Sequence, residues 1–295
     1  PIYTAAEEII SQPKAYLNEL ISNDHNDEVP VTDLFDTKSH TVLVVDDNQD
    51  LIDFLENTLK EHFKKVYTAN DGIEALQKVK TYQPDIVVSD VMMPRMNGYE
   101  LCKLIKENID ISHIPVILLT ARDDEQSQLQ GYKIGADAYL IKPFEEEMLL
   151  ELIRNRLRNR EKTKSLYRSA GLLPQPEEST FSQTDENFLL KLNTLINENL
   201  CESALDINFL CNKMCMSRST LYNKLKALTD MGANDYINKI KMEKAKELII
   251  TSDLSFMTIA EQTGFTTSRY FSTIFKQYTG ETPTQYKERN RTKRK

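Results

Sequence analysis

The chain has 295 residues, of which 40% are hydrophobic and 28% charged, and its formal net charge is -8. This composition predicts a water-soluble protein that is long enough for two domains. No run approaches eighteen apolar residues, which excludes a transmembrane helix in this sequence, and without a signal peptide we expect a cytoplasmic location.

Residues 1–40 match no domain that we can name. The run from Asn23 to Glu28 predicts a solvated acidic loop, and Pro13 would interrupt a short helix before it. Because the chain begins with Pro1 instead of Met, we expect it to be a piece of a longer protein.

Four apolar runs between residues 41 and 141 predict buried strands, and each is followed by a polar residue. The runs cover residues 41–45, 86–89, 116–119 and 138–141, and the residues that follow them are Asp46 with Asp47, Asp90, Thr120 and Lys142. Apolar runs separated by helical patterns predict a doubly wound α/β fold with a parallel sheet. The carboxyl ends of such strands converge on one edge, so the five side chains should share a pocket.

The expected chemistry of this pocket follows from its charges. Three carboxylates in close proximity repel one another, and a hard divalent cation with oxygen ligands relieves the repulsion, with Mg²⁺ the natural choice. A phosphoryl group arriving at Asp90 would share its charge with the metal and Lys142, while the Thr120 hydroxyl donates a hydrogen bond. The set predicts a carboxylate that accepts phosphate.

Residues 41–160 resemble the receiver domain of bacterial response regulators. That family has an acidic pair after its first strand, a phosphoacceptor Asp after its third, Ser or Thr after its fourth and Lys-Pro after its fifth. All these positions match, as Asp46, Asp47, Asp90, Thr120 and Lys142. The resemblance implies a five-stranded, flavodoxin-like sheet and a domain that catalyses its own phosphorylation and dephosphorylation.

The resemblance also assigns roles to individual residues. Asp46, Asp47, Asp90 and the backbone carbonyl of Met92 would hold the metal. The Lys142-Pro143 bond would be cis, and Tyr139 would swing inward when Thr120 turns toward the phosphate. Residues 138–157, in the last strand and helix of the receiver domain, would supply a dimer face.

A phosphatase of the haloacid dehalogenase class is the competing enzyme. Those enzymes also use an Asp nucleophile after an apolar strand, but they need a second acid two residues later to protonate the leaving group. Met92 occupies that position and has no proton to give, which argues against multiple-turnover phosphatase chemistry.

The charge of the chain is unevenly distributed. Residues 203–295 contain 16 Lys and Arg against 9 Asp and Glu, whereas the remaining residues contain 21 against 36. A basic third on an acidic protein suggests a polyanionic partner, with nucleic acid as the first candidate. A solvated basic tail at residues 289–295 is the alternative explanation for part of this excess.

A breaker-rich segment at residues 161–183 predicts a linker, and Thr184 with two following acids predicts the start of a helix. The second domain, residues 184–295, contains a helix-turn-helix pattern twice, at residues 207–225 and 257–276. Polar residues at the start of each second helix could enter a major groove. They are Arg218, Ser219, Thr220, Asn223 and Lys224 in the first copy, and Thr267, Ser268, Arg269, Ser272 and Lys276 in the second.

This segment resembles the DNA-binding domain of the arabinose-operon activator (AraC) family, an all-α domain in which a long helix joins two helix-turn-helix units. The joining helix would be Ala233 to Ile250. One departure is Cys215, which occupies a turn position where a left-handed backbone favours glycine. The second unit keeps its glycine at Gly264.

Together the two resemblances imply a phosphorylation-controlled, DNA-binding transcription regulator of a two-component system. Its arrangement is similar to the carboxyl-terminal part of hybrid sensor kinases, whose parent proteins are anchored in the inner membrane. Residues 1–40 would then be the connector from a histidine kinase, and any kinase activity would lie upstream. Expected partners are that kinase, double-stranded DNA and a second copy of the chain after phosphorylation. The alternative function is a phosphorelay intermediate that passes phosphate to another histidine protein.

Overall fold

The computed structural model describes residues 35–121, 134–169, 181–202 and 205–292. Pro1–Asp36 and Thr37–Lys295 form separate units, and every strand and helix described here lies in the second. Most of the expected connector, residues 170–180 of the expected linker and the last three residues lie outside the described ranges. Among the described helices, none is long and apolar enough to span a bilayer.

An α/β domain comes first and contains five parallel strands in the order β2-β1-β3-β4-β5, which confirms the predicted sheet. The register pairs Val45 with Ser89, and Asp90 with Leu119. The residues that follow β1, end β3 and lie near the end of β4 are therefore neighbours. The strands are β1 (Thr41–Val45), β2 (Lys65–Ala69), β3 (Ile86–Asp90), β4 (Val116–Ala121) and β5 (Ala138–Lys142).

Helices pack around this sheet because alternate strand residues are buried on its two faces. Leu43, Val87 and Leu118 belong to one core cluster, and the alternate residues Val44 and Val88 are equally buried. Side-chain oxygens of Asn48, Asp71 and Asn97 cap the first three helices. The helices are α1 (Gln49–Lys60), α2 (Gly72–Tyr82), α3 (Gly98–Glu107) and α4 (Glu146–Ser169).

The remaining described chain is helical and contains two helix-turn-helix units, as predicted. The joining helix α8 packs its first half into one core and its second half into another: Tyr236 and Ile237 lie in the first, Ala245 and Ile249 in the second. The helices are α5 (Gln183–Glu198), α6 (Ile207–Met214), α7 (Arg218–Thr229), α8 (Ala233–Thr251), α9 (Phe256–Gln262), α10 (Ser268–Thr279) and α11 (Pro283–Thr292).

The turns of the two units confirm the expected left-handed backbone. Cys215 has φ 55° and Gly264 has φ 70°. A Cβ atom at Gly264 would collide with the Leu200 carbonyl oxygen, so glycine is required there. Cys215 is exposed and bears only the backbone cost, about 1 kcal/mol.

A buried ion pair lies at the junction between the α/β domain and the first helix-turn-helix unit. The Nζ atom of Lys224, on α7, lies 2.5 Å from Oδ1 of Asp185, on α5, and both side chains are at most 1% exposed. Ser112, in the loop before β4, accepts a hydrogen bond from Lys224 at 2.6 Å and donates one to Asp185 at 2.7 Å. Lys224, Ser112 and Oδ1 of Asp185 thus bond to one another across the junction.

Other contacts reinforce this junction. The Thr184 hydroxyl donates to the carbonyl oxygen of Lys106 at 2.8 Å. Tyr167, near the end of α4, lies in the core of the first helix-turn-helix unit, and its carbonyl oxygen accepts a hydrogen bond from Lys239 on α8. Burial lowers the pKa of Lys239 to about 8. Helix α4 therefore belongs to both domains and spans the first part of the predicted linker.

Lys224→Met should lower the free energy of unfolding by about 3–5 kcal/mol, because Asp185 would remain as a buried carboxylate without its counter-charge. Adding Asp185→Leu should recover most of this loss. Denaturant unfolding measures both effects. Lys226→Met is the control: Lys226 lies 2.7 Å from Asp230 in an exposed pair, and its loss should cost no more than about 1 kcal/mol. Equal costs for the two lysines would contradict the prediction.

Candidate functional site

The carboxyl edge of the sheet brings Asp90, Asp46 and Lys142 into direct contact. Nζ of Lys142 lies 2.5 Å from Oδ1 of Asp90 and 2.8 Å from Oδ2 of Asp46. The peptide bond between Lys142 and Pro143 is cis, as the resemblance implied. One ammonium therefore bridges two carboxylates that would otherwise repel each other.

Burial and the ammonium act in opposite directions on these groups. Burial raises the pKa of the Asp90 carboxyl above its usual value, although the hydrogen bond and charge of Lys142 partly oppose the shift. Burial favours the neutral form of Lys142, but hydrogen bonds to Asp46 and Asp90 outweigh it and raise the pKa of Lys142. The lysine therefore stays charged at neutral pH, which is the state that can bind a phosphoryl oxygen.

The loop after β3 folds back onto Asp90. The backbone N–H of Met92 donates to Oδ2 of Asp90 at 2.7 Å. The N–H of Gly98 donates to the carbonyl oxygen of Val91 at 3.0 Å, and a Cβ atom at Gly98 would collide with the Asp90 carbonyl oxygen. Glycine at this position is what allows the loop to close around the carboxylate.

The other expected metal ligands lie at the same edge. Asp46 accepts a hydrogen bond from the N–H of Asn48 at 2.9 Å, while Asp47 is exposed. Within the described ranges, no three His, Cys, Asp or Glu side chains are close enough to hold a metal ion. The donor set of Asp46, Asp47, Asp90 and the Met92 carbonyl nevertheless consists only of oxygens, so its chemistry fits Mg²⁺.

Thr120 lies beside this pocket, and its hydroxyl group is buried. The residue is 1% exposed, and its Oγ1 atom has no hydrogen-bond partner among the residues that the structure describes. A buried hydroxyl without a partner is costly, and a new acceptor nearby would remove that cost. Tyr139, on the adjacent strand β5, packs partly buried against the core cluster of the sheet.

The predicted DNA contacts of the first unit divide between two faces of α7. Arg218, Ser219 and Asn223 are exposed, and Thr220 is partly exposed. Arg218 donates from Nε to Oδ1 of Asn208 at 2.8 Å, which orients its guanidinium. Lys224 instead lies in the buried junction, so in this arrangement it faces Asp185 and not solvent. We therefore do not assign Lys224 to the DNA-facing surface.

The predicted contacts of the second unit lie on one accessible side of α10. Thr267 caps this helix through a hydrogen bond from the N–H of Tyr270 at 3.2 Å. Ser272 donates to the carbonyl oxygen of Ser268 at 2.8 Å, and both are partly exposed. Arg269 and Lys276 are exposed. Sequence reasoning missed Ser112 and Asp185 as partners of Lys224, and nothing in their spacing could have indicated that contact.

Two family models match the chain. A response regulator receiver domain matches residues 42–154, and a helix-turn-helix domain matches residues 210–289. The first match covers the pocket of Asp46, Asp90 and Lys142, and the second covers most of both helix-turn-helix units.

Known proteins resemble the whole chain or its first domain. Histidine kinase P4 of Formosa agariphila is 37% identical over 264 residues, which make up 89% of this chain and 19% of that protein. Protein PilG of Pseudomonas aeruginosa is 41% identical over 113 residues, 38% of this chain and 84% of that protein. The transcriptional regulatory protein PhoP of Bacillus subtilis is 41% identical over 103 residues, 35% of this chain and 42% of that protein.

The chain thus spans about a fifth of the length of the histidine kinase. The match covers 89% of the chain and therefore extends over both the α/β domain and the helical domain. The fold, the polar residues at the strand ends and the two family matches agree with one another. The chain belongs to the response regulators and combines a receiver domain with an AraC-type helix-turn-helix domain.

Proposed function

We propose that this chain is a phosphorylation-controlled, DNA-binding transcription regulator, and that Asp90 accepts the phosphoryl group from a histidine kinase. The observation that carries the proposal is the contact of Lys142 with both Asp90 and Asp46, beside the unpartnered hydroxyl of Thr120. This pocket offers a nucleophilic carboxylate, a fixed positive charge and a free hydrogen-bond donor within one site.

Phosphoryl transfer would proceed by displacement at phosphorus. An oxygen of Asp90 forms a bond to phosphorus as the bond to the kinase histidine nitrogen breaks, and that nitrogen keeps the electron pair. Lys142 neutralises charge on the phosphoryl oxygens, and the N–H of Met92 donates to the Asp90 carboxylate. Asp46, Asp47, Asp90 and the Met92 carbonyl would hold Mg²⁺, which when bound supplies further positive charge to those oxygens.

Thr120 and Tyr139 would report the phosphate to the protein surface. A phosphoryl oxygen gives the Thr120 hydroxyl the acceptor that it lacks, and Tyr139 would follow into the space that Thr120 leaves. The expected result is a population shift between two packings of the β4–β5 side, which favours pairing of two chains through the face at residues 138–157.

The helical domain would bind promoter DNA through the exposed side of α7 and the accessible side of α10. Both begin with small polar and basic residues that are accessible to solvent, a composition suited to the edges of bases and to phosphates. A phosphorelay intermediate has no need of this surface, which favours the regulator over the relay. We propose a cytoplasmic location, with residues 1–40 as a connector from a kinase in the same polypeptide.

Asp90→Asn should abolish uptake of phosphate from a cognate kinase or a small phosphodonor, because the amide keeps the shape of the side chain but is not a nucleophile. Labelled phosphate measures uptake, and circular dichroism checks the fold. Asp53→Asn, at an exposed position on α1, is the control and should retain full labelling. Labelling of the Asp90 variant comparable to that of the wild type would contradict the assignment of Asp90 as the phosphate acceptor.

Thr120→Ala should uncouple phosphorylation from pairing of the chains. A lost charge-assisted hydrogen bond is worth about 1.5–3 kcal/mol, enough to shift a marginal equilibrium about tenfold or more. Sedimentation with and without beryllofluoride, which imitates the phosphoryl group at Asp90, gives the association constant. Thr68→Ala, on the edge strand β2, should leave pairing intact. Equal association of the wild type with and without beryllofluoride would count against the switch.

Arg269→Ala should weaken binding to a selected DNA site. The expected loss is about 1–3 kcal/mol, with poorer discrimination, if Arg269 binds a guanine. If it binds phosphate, affinity should fall uniformly across sequences and the salt slope should decrease by about one unit. Lys244→Ala is the control and should change neither quantity, because Lys244 is a partly exposed lysine of α8 that is paired with Glu247. Sequence-independent binding by the wild type at physiological salt would disprove the model.

A further inference from the structure

A polar cavity of about 210 Å³ lies between the receiver domain and the first helix-turn-helix unit. It is lined by Lys106, His113 and Asp137 from the receiver, by Arg156 and Arg160 from α4, and by Asp185 from α5. A water molecule occupies about 30 Å³ in the liquid, so the cavity has room for a small ion together with several waters.

The cavity lies far from the phosphoacceptor pocket. Asp137 directly precedes β5, and Ser112 and His113 lie in the loop before β4, so the cavity is at the amino-terminal edge of these strands. Asp90 is at the carboxyl edge. A strand of five residues separates the two edges by about 16 Å. A ligand in the cavity would therefore not be the phosphoryl group of Asp90.

The lining carries more positive than negative charge. Lys106 is paired with Asp137 at 2.7 Å, and Asp185 is paired with Lys224 at 2.5 Å. Arg156 and Arg160 make no ion pair within the part of the chain that the structure describes. Arg160 donates only a long hydrogen bond of 3.4 Å to the carbonyl oxygen of Asp85.

The unpartnered atoms in this cavity are complementary donors and acceptors. The Nε atoms of Arg156 and Arg160 are buried without a hydrogen-bond partner among the described residues, and so is Oδ2 of Asp185. Guanidinium groups remain protonated at neutral pH and bind oxyanions through paired N–H donors. Burial and the surrounding cations lower the pKa of His113 well below its usual value, so this ring adds no charge.

We propose that the cavity is a binding site for inorganic phosphate, held between the two domains. Arg156 and Arg160 lie four residues apart on one side of α4 and donate to the anionic oxygens. Oδ2 of Asp185 accepts a hydrogen bond from the protonated oxygen of the ligand. Sulfate has the same shape and charge as monohydrogen phosphate but has no proton to donate, so Asp185 makes the site selective for phosphate.

The test is equilibrium dialysis of the full chain with labelled inorganic phosphate, in chloride buffer at constant ionic strength. One phosphate should bind per chain, and sulfate should compete at least tenfold more weakly. Phosphate and sulfate binding with equal affinity would overturn the proposal, because a surface that attracts any dianion would behave in that way. Failure of the chain to retain any labelled phosphate would overturn the proposal as well.

Variants locate the bound phosphate. Arg156→Gln and Arg160→Gln should each weaken binding at least tenfold, whereas Arg154→Gln, on the same helix but paired with Glu151, should not. Asp90→Asn should leave binding unchanged, and loss of binding in that variant would place the phosphate in the receiver pocket and overturn the proposal. If Arg160→Gln does not fold, Arg156→Gln decides, because Arg156 lines the same cavity. Unchanged affinity in Arg156→Gln would also refute the site.

Discussion

The arrangement of the receiver pocket depends on one ammonium group, that of Lys142, which contacts two carboxylates. Asp46 follows β1 and Asp90 ends the neighbouring strand β3, so the sheet brings two largely buried carboxylates together, and their charges repel each other. Lys142 offsets this repulsion by bonding to both. It can reach them because β5 ends at the same edge of the sheet. The charge environment of Asp90 therefore depends on a residue from the edge strand β5.

The sequence predicts most of this pocket, for a physical reason. In a parallel sheet a buried strand must start and end near the register of its neighbours, so the first polar residue after each apolar run marks the shared edge. Asp46, Asp90 and Lys142 meet as expected. Thr120, near the end of β4, lies beside them, and the joining helix α8 was found to within one residue at its end. Local patterns of this kind are visible in a single sequence.

Lys224 shows where such patterns fail. It lies among exposed polar residues near the start of α7, where a lysine is expected to face DNA. Its burial depends on Asp185, which lies on a different helix, and on Ser112, which lies in the receiver domain. The contact with Ser112 forms only when the receiver and the helical domain pack together, and neither helical periodicity nor residue type encodes it. The same holds for Tyr167, whose place in the core of the first helix-turn-helix unit makes α4 a shared element of both domains.

Helix α8 has a consequence for how such regulators change over evolution. Its 19 residues span both helical cores, so its length fixes the distance and the rotation between the two helix-turn-helix units. Inserting one residue would advance the second unit by about 1.5 Å and rotate it by about 100° relative to the first. Insertion of seven residues, two turns, would restore the rotation but lengthen the span by about 10 Å. Single-residue insertions or deletions in α8 would therefore disrupt the arrangement of the two units, whereas substitutions on the exposed faces of α7 and α10 would leave that arrangement intact.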